Sequence, residues 1–564
     1  MNLAQWFQNL RHRCVEFLYR LRFQRAVAGL ETPPPATRAF VVLQVDALAF
    51  SALQEVLERG DMPHLARLLQ QGEYRLRRWR CGLPSTTTAI QTGLFYGARV
   101  APGFRWYDKA TGAPVTSHRP DHMRALEESL SAAHDGLLVG GGVYTSLLSG
   151  EAERAVFTVS RVFMRQLQGY LEGTGLLLIF LLRPLRVLRL IHYTLVRFGR
   201  RVWAGLRHWK TLLVPLSLLR SLLDAAADAT LTEFMTFCVL LDLYRGVPRM
   251  YANFNGYDEM AHVHGALHHE ARWVLHWIDA RLEEIEKLGR ESPGASYDVF
   301  ILSDHGMAPA IPFRVRFGQT LGEFVAQQVH LDVSFDAGAM DAAVARALRA
   351  RYLIMMLRDS QQYLPPWIRR LVDVARRPLL AYLSPEEPAY DWNLESEVVV
   401  QASGPLAHVY FRVAAHQMDL PEVTLLYAEF MGRLVGHEGI ELVAGRDTGQ
   451  VVILGRKGGV LTIADEKTEL QGADPLEAFA DREYVMRELR HLLQLPTSGD
   501  LVLLGRLLET GEVITFEEQY ATHGGLGGGQ DEPFLIYPAA LEGELPELDS
   551  PEALYRWFKA RYST

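Results

Sequence analysis

Aspartate and histidine side chains occur at close spacing in two parts of the chain, and a single histidine lies in a glycine-rich third part. Asp258 and His262 stand four residues apart in GYDEMAHVHG, and Asp304 and His305 are adjacent in ILSDHGM. A spacing of four can bring a carboxylate and an imidazole to one ion, and adjacent residues can reach one ion from a turn. His523 lies in THGGLGGGQ, where glycines let the backbone approach a ligand closely. Each pattern is weak alone, but all three fit metal ligation.

Asp46 adds a third aspartate, because it ends the apolar run AFVVLQVDAL. The full set then contains three aspartates and three histidines. Two divalent cations about 4 Å apart need roughly six such protein ligands. The sequence therefore predicts a two-metal site. Zinc fits Asp and His ligands, and manganese is the alternative, since ligand types alone do not separate the two.

Three consecutive threonines in LPSTTTAIQTG offer a nucleophile for such a site: Thr86, Thr87 and Thr88. A threonine hydroxyl is a poor nucleophile at neutral pH, but coordination to a dication favours its alkoxide. A helix running through TTAIQTGLF would start here, and its unpaired N–H groups and dipole favour an attacking phosphate. Thr86 is the candidate N-cap residue of that helix. The position in the chain alone leaves open which hydroxyl reacts.

The elements that must position these residues alternate between strands and helices. Apolar strand-like runs at 39–48, 249–256 and 297–306 each end in polar residues, and helical periodicity follows the first and separates the last two. This alternation predicts a mostly parallel sheet with helices on both faces. Ligands of such sheets bind beyond the carboxyl ends of the strands. Asp46, Asp258 and Asp304 all fall at these ends.

The order Asp, Thr, Asp-x-x-x-His, Asp-His, His resembles the alkaline phosphatase superfamily, particularly its type I phosphodiesterase/nucleotide pyrophosphatase branch. The matching blocks span about residues 40 to 110, 248 to 310 and 515 to 537. The resemblance implies an alkaline phosphatase-like α/β fold with a mostly parallel central sheet. It also implies phosphoester cleavage through a phosphothreonine, with two divalent metal ions as cofactors.

The resemblance also implies a role for each site residue. It assigns Asp258, His262 and His523 to one metal. Asp46, Asp304 and His305 would bind the other metal, together with a threonine oxygen. In relatives the reactive threonine lies three residues after the proline, which is Thr87 when counted from Pro84, with Thr86 as the rival.

The sequence departs from the pattern of the pyrophosphatase branch at one position and does not match the sulfatase branch. Phe104 stands where the pyrophosphatase branch has a phosphate-binding asparagine, so nucleotide specificity is in doubt. Arg105 beside it could bind substrate as a charge-assisted donor, or could be a surface residue. The sulfatase pattern Cys-x-Pro-x-Arg is excluded, because Cys81 is one residue too far from Pro84 and the arginine is missing.

Charge is distributed unevenly along the chain of 564 residues, whose formal net charge is −8. Residues 1–30 carry five arginines among apolar residues at helical spacing, and residues 173–223 contain nine basic residues and no acidic one. Amphipathic basic segments favour an anionic membrane surface, and the uninterrupted apolar runs are too short to span a bilayer. A basic cap over an acidic domain and a nucleic-acid patch are the alternatives. The many tryptophans and leucines argue against nucleic acid as a partner.

We expect six regions. They are a basic amphipathic helix (1–30), the first part of the catalytic core (38–165), a basic and apolar helical insertion (166–228), the second part of the core (229–310), a helical cap-like region (311–400), and the completion of the core with a smaller α+β segment (401–564). Without a recognisable secretory signal, peripheral association with the cytoplasmic face of a membrane is favoured.

The leading hypothesis is a two-metal phosphohydrolase of the phosphodiesterase type. A phosphotransferase of lipid-headgroup or mutase type, using the same threonine, is the first alternative. A non-catalytic membrane-associated binding protein is the second. The substrate and the oligomeric state stay open.

Overall fold

A computed structural model of the chain describes residues 38–162, 183–207, 218–291, 296–338, 396–464 and 467–562, with isolated positions at 180, 348–349, 352–353, 366 and 369–370. The predicted helix of residues 1–30 lies outside the described residues. So do parts of the predicted insertion and most of the second half of the predicted helical cap-like region.

The strands of the described residues are β1 (Ala39–Val45), β2 (Tyr74–Arg78), β3 (Arg105–Asp108), β4 (Ala113–Thr116), β5 (Gly142–Tyr144), β6 (Arg154–Val156), β7 (Arg249–Phe254), β8 (Tyr297–Leu302), β9 (Ala308–Pro312), β10 (Val333–Asp336), β11 (Val398–Ser403), β12 (Leu406–Phe411), β13 (Ile440–Asp447), β14 (Gln450–Gly455), β15 (Val460–Ile463), β16 (Thr468–Gln471), β17 (Leu501–Gly505), β18 (Val513–Thr515), β19 (Ala521–Thr522) and β20 (Phe534–Pro538).

The α-helices of the same residues are α1 (Phe50–Glu58), α2 (Pro63–Gln70), α3 (Thr87–Tyr96), α4 (Pro120–Ala133), α5 (Pro184–Arg207), α6 (Leu218–Arg245), α7 (Gly256–His264), α8 (His269–Glu291), α9 (Phe313–Phe317), α10 (Leu321–Val329), α11 (Leu420–Leu426), α12 (Ala428–Val435), α13 (Arg482–Gln494) and α14 (Pro551–Tyr562).

The central sheet has seven strands in the order β2-β20-β8-β1-β7-β5-β6. The pairs along β8, β1, β7, β5 and β6 are all parallel, and β20 runs antiparallel between β8 and β2. All seven residues of β1 are buried, as a strand covered on both faces requires. The predicted mostly parallel central sheet is confirmed.

Helices cover both faces of this sheet. Phe300 on β8 and Phe40 on β1 both contact the ring of Phe558 on α14, each with centroids 5.0 Å apart. The adjacent residue Val299 points to the other face, where a Cβ added to Gly289 of α8 would lie 3.0 Å from its Cγ2. Because successive residues of a strand alternate between faces, α14 and α8 lie on opposite sides.

Eight further strands form a second sheet in the order β10-β11-β12-β17-β13-β14-β15-β16. Leu501 and Leu503 of β17 join one apolar cluster with α10, α11 and α12, while Val502 and Leu504 join another cluster with α13. This sheet corresponds to the predicted α+β segment. Its edge strand β10 pairs in parallel with β11. Strand β10 lies within residues 311–400, the region predicted as a helical cap.

Helix α5 and the first part of α6 (218–228) lie in the predicted basic insertion, and the rest of α6 lies in the predicted second part of the core. Arg186 of α5 is buried against Glu233 of α6 and Glu284 of α8, and Arg200 places its Nε 2.9 Å from Oε2 of Glu270. These arginines therefore face carboxylates of the protein itself. None of the helices in the described part of the chain has the length and apolar character needed to cross a membrane.

The aromatic contact between β8 and α14 provides a test of the fold. We expect Phe300→Ala to lower the free energy of unfolding by about 3–5 kcal/mol, because it leaves a cavity beside the rings of α14. Val315→Ala is the matched control, since Val315 is 69% exposed, and its effect should stay within about 0.5 kcal/mol. Chemical denaturation followed by tryptophan fluorescence measures both. Equal effects of the two substitutions would contradict the packing of α14.

Candidate active site

Three neighbouring parallel strands bring five of the candidate residues to one edge of the central sheet. Asp46 directly follows β1, and Asp304 and His305 follow β8. Asp258 and His262 lie on α7, which begins two residues after β7 ends. Since β8, β1 and β7 are adjacent and parallel, their carboxyl ends meet at the same edge. The spacing of four in α7 places Asp258 and His262 on one face of the helix.

The sixth residue, His523, reaches this edge through a separate three-stranded sheet. Strand β9 follows the loop of His305, and β19 pairs antiparallel with it immediately before His523. Gly524 follows with a φ of +116°, and a Cβ added there would lie only 2.1 Å from the carbonyl oxygen of Ser403. The glycine therefore permits the close approach that holds His523 in place.

The six residues form two groups, each with ligand atoms within 4.8 Å of one another. In the first group, Oδ1 of Asp258 lies 3.2 Å from Nε2 of His262 and 3.6 Å from Nε2 of His523. The rings of His523 and His305 stack with centroids 4.0 Å apart, so the first group adjoins the second.

In the second group, Nε2 of His305 lies 3.3 Å from Oδ2 of Asp304 and 3.8 Å from Oδ1 of Asp46. The two groups have the same membership that the family resemblance implies. Their part in metal binding stays a prediction.

The carboxylates present unpartnered oxygens to these imidazoles. Asp46 Oδ1, Asp258 Oδ1 and Asp304 Oδ2 are buried and have no hydrogen-bond partner among the described residues. These oxygens lie 3.2 to 3.8 Å from the imidazole nitrogens. Two ligands of one tetrahedral zinc ion, each about 2.0–2.2 Å from the metal, lie about 3.4 Å apart. The donor atoms therefore fit a divalent ion in each group.

Hydrogen bonds to backbone carbonyls orient all three imidazoles. Nδ1 of His262 lies 2.8 Å from the oxygen of Ala521, Nδ1 of His305 lies 3.1 Å from that of Gly306, and Nδ1 of His523 lies 2.9 Å from that of Ser85. A carbonyl oxygen only accepts, so each Nδ1 donates its proton. The lone pair of each neutral ring is then on Nε2, which points into the site as a metal ligand does.

The charges at the site are not balanced by the protein alone. Burial, together with the charges of Asp304 and Asp258, raises the pKa of Asp46 well above its ordinary value. Burial also raises the pKa of Asp304. Burial lowers the pKa of His262, but the carboxylate of Asp258 outweighs this and raises that pKa to about 9. A cation between these carboxylates would offset their repulsion.

Thr87 is the one threonine of the triple that is accessible at this site. Every residue from 81 to 96 is buried except Thr87, which is the first residue of α3. Its Oγ1 lies 3.2 Å from Nε2 of His305. Thr86 is the N-cap residue, but its side chain makes no capping hydrogen bond. The hydroxyl of Thr88 bonds to that of Ser117 at 2.5 Å.

Arg105 is not brought into the two groups by the contacts that the structure describes. Its Nη1 donates to the carbonyl oxygen of Ala402 and to Oε1 of Glu517, both at 2.6 Å. The side chain is 2% exposed. The alternative of a surface arginine is therefore wrong, because the guanidinium is buried between β11 and the loop before β19. Its role in substrate binding stays a prediction.

Two residues that the sequence analysis missed position the site. Asn253 on β7 donates from Nδ2 to Oδ2 of Asp46 at 2.6 Å. Ser85 donates from Oγ to the carbonyl oxygen of Gly525 at 2.8 Å and accepts a hydrogen bond from the N–H of Gly524. A polar residue within the apolar strand RMYANF could have indicated Asn253. Nothing in the local sequence distinguishes Ser85.

The central sheet, the two Asp/His groups and the accessible threonine are typical of alkaline phosphatase-like α/β enzymes. The sequence profile of the type I phosphodiesterase / nucleotide pyrophosphatase family matches residues 40–352, which is more than half of the chain. The chain belongs to this family and is a phosphoester hydrolase. No curated protein matches it.

Solved structures similar to this chain include a phosphonoacetate hydrolase from Sinorhizobium meliloti 1021 in complex with phosphonoacetate. It is 15% identical, with 94% of this chain and 97% of that chain covered and a TM-score of 0.40. An inactive variant of murine ectonucleotide pyrophosphatase/phosphodiesterase 5 in complex with AMP is 11% identical, with 93% and 94% covered and a TM-score of 0.40. The human protein of that name is 10% identical, with the same coverage and a TM-score of 0.41. The family assignment rests on the profile match.

The contact between Asn253 and Asp46 allows a test that does not depend on the substrate. We expect Asn253→Ala to weaken the binding of a divalent metal by about 10–100-fold, because the hydrogen bond from Asn253 that orients the Asp46 carboxylate is lost. Gln450→Ala on β14 is the control, since Gln450 is exposed and lies on the second sheet. Competition with a colorimetric chelator measures both. Unchanged affinity in Asn253→Ala would show that the hydrogen bond does not serve the metal site.

Proposed function

We propose that the protein is a two-metal phosphodiesterase that uses Thr87 as its nucleophile. The observation that carries the proposal is the position of the Thr87 hydroxyl, 3.2 Å from His305 Nε2 and accessible within an otherwise buried segment. A reactive hydroxyl must be both reachable by substrate and next to the groups that activate it.

The proposed ligands of one ion are Asp258, His262 and His523. Those of the other ion are Asp46, Asp304 and His305, with the Thr87 oxygen. Zinc fits these ligands best, and manganese is the alternative. When bound, such ions favour the alkoxide of a coordinated hydroxyl and neutralise charge on a phosphoryl group.

The residues of the chain provide the geometry of the reaction. Oγ1 of Thr87 would give its proton to solvent and form a bond to phosphorus as the bond to the leaving oxygen breaks, and that oxygen would take a proton from solvent. Water would then hydrolyse the phosphothreonine, which frees the threonine and releases the phosphate product. Thr87 is the first residue of α3, so the N–H groups of the first turn are available to the phosphate oxygens. The carbonyls that bind each Nδ1 keep the imidazole rings in position during turnover.

We also propose that the enzyme associates peripherally with an anionic membrane surface. The excess of basic residues in segments 1–30 and 173–223 supports this, apart from Arg186, Arg197 and Arg200, which pair with carboxylates of the protein.

The same substitution at two neighbouring threonines tests the nucleophile. We expect Thr87→Val to lower the hydrolysis of bis-p-nitrophenyl phosphate by at least about 1,000-fold, because it removes the attacking oxygen. Thr86→Val should change the rate by less than about threefold, since the Thr86 hydroxyl has no hydrogen-bond partner to lose. Metal analysis of both variants shows whether the ions are still bound. An inactive Thr86→Val beside an active Thr87→Val would assign the reaction to Thr86.

Metal removal tests the other half of the proposal. We expect dialysis against EDTA to abolish hydrolysis, and added zinc or manganese to restore it. The proposed reaction needs the cations to activate the Thr87 hydroxyl and to neutralise the charge of the phosphoryl group. Mass spectrometry of the active protein should find two divalent ions per chain. Full activity in metal-free protein would overturn the two-metal mechanism. Transfer of the phosphoryl group to an added alcohol at the expense of water would indicate a phosphotransferase instead.

A further inference from the structure

The inner face of helix α5 holds the helix in one orientation. Tyr193 stacks on Trp273 of α8 with centroids 5.0 Å apart and also contacts Trp277 at 4.4 Å. Arg186 is buried against Glu233, and Arg197 forms an ion pair with Asp228. Aromatic and ionic contacts on the same face fix which side of α5 points away from the protein.

The outer face of α5 is an apolar stripe, which we define as Leu185, Leu188, Ile191, Leu195 and Trp203. Their exposures range from 44% to 71%. Spacings of three, three, four and eight residues place all five side chains on one side of a helix. From Leu185 to Trp203 the stripe is about 27 Å long at 1.5 Å per residue.

The inner face of α5, opposite the apolar stripe, contacts the proposed catalytic helix α7. Nη2 of Arg197 donates to Sδ of Met260 at 3.5 Å, and Met260 lies between Asp258 and His262. Val263 is three residues further, on the same side of α7 as Met260, and is 58% exposed. Exposed apolar surface therefore occurs both on α5 and next to the metal-ligand residues.

We infer that the apolar stripe docks on a phospholipid bilayer and places the catalytic site over membrane-embedded phosphodiesters. This inference rests on the proposed phosphodiesterase function and adds the class of substrate, a phosphodiester with a lipid chain. The apolar side chains enter the boundary between headgroups and acyl chains. The arginines of the inner face do not make this contact, because they bind the protein's own carboxylates.

The shape and charge of the outer face fit a bilayer better than a protein partner. A single row of aliphatic side chains with one tryptophan is typical of a helix lying in the membrane interface. Protein interfaces instead surround an apolar centre with a polar rim and hydrogen bonds. No residue of α5 is acidic. Arg189 beside the stripe is 47% exposed; its Nη1 lies 3.5 Å from Oε2 of Glu284, and its exposed part adds positive charge next to the stripe.

Vesicle binding tests the surface directly. The wild type should sediment with vesicles of phosphatidylcholine and phosphatidylglycerol, and the double variant Leu188→Glu/Leu195→Glu should bind at least about tenfold less, because charged side chains do not enter the interface. Leu425→Glu/Leu426→Glu on α11 is the matched control, since Leu425 is 85% exposed and Leu426 53%. The control should bind like the wild type.

Two esters with the same reacting group test the substrate class. Ethyl p-nitrophenyl phosphate is soluble, and hexadecyl p-nitrophenyl phosphate inserts into the same vesicles. The wild type should cleave the hexadecyl ester faster by about tenfold or more, because docking concentrates the enzyme at the bilayer. The stripe variant should lose this preference and keep the wild-type rate on the ethyl ester.

The outcomes separate the two proposals. If the wild type cleaves neither ester, the phosphodiesterase function fails, and vesicle sedimentation still decides the docking surface. If the stripe variant binds vesicles as well as the control, the docking surface is wrong. If the stripe variant keeps the wild-type preference for the hexadecyl ester, the proposed substrate class is wrong. A wild-type dimer that ignores vesicles and dissociates in the stripe variant would show that a second copy covers the stripe.

Discussion

Three carboxylates close together at one edge of a parallel sheet impose the main constraint on this structure. Burial and the charge of Asp258 raise the pKa values of Asp46 and Asp304, whereas at Asp258 the neighbouring His262 outweighs burial and lowers the pKa. Hydrogen bonds from the imidazole Nδ1 atoms to backbone carbonyls direct an Nε2 toward each unpartnered carboxylate oxygen. These oxygens and imidazole nitrogens are the donor set of the proposed two-metal site, and they come from several distant segments of the chain.

Support for the site comes from backbone as much as from side chains. The imidazole rings are held by carbonyls of a strand, a loop and the turn that precedes α3. Ser85 connects this turn to the glycine-rich loop that carries His523. The proposed nucleophile and the proposed metal ligand His523 are therefore linked, because the same short turn positions Thr87 and orients His523.

Much of the site could be predicted because its residues occur in short motifs. The six Asp and His residues that the structure brings together, and Thr87 beside them, were predicted from spacing and from the family pattern, and the strands that end beside them were predicted from apolar runs. Asn253 and Ser85 were not, since their roles depend on contacts with residues far away in the chain. The strand β10 was missed for the same reason, because it pairs with β11, for example Val333 with Val398, 65 residues further along the chain. The boundaries of the six regions remain predictions.

The sequence by itself determined the chemistry: the ligand types, the threonine triple, the β/α alternation and the family. It also determined that residues 173–223 are basic and apolar. Only the tertiary structure showed that Thr87, which the family pattern favoured over Thr86, is the accessible threonine beside His305, and that Arg105 is buried. The tertiary structure also showed that arginines of α5 face the protein and that the apolar stripe of α5 is exposed. Motifs record what a residue can do, whereas the direction of a side chain is set by packing against elements distant in the chain.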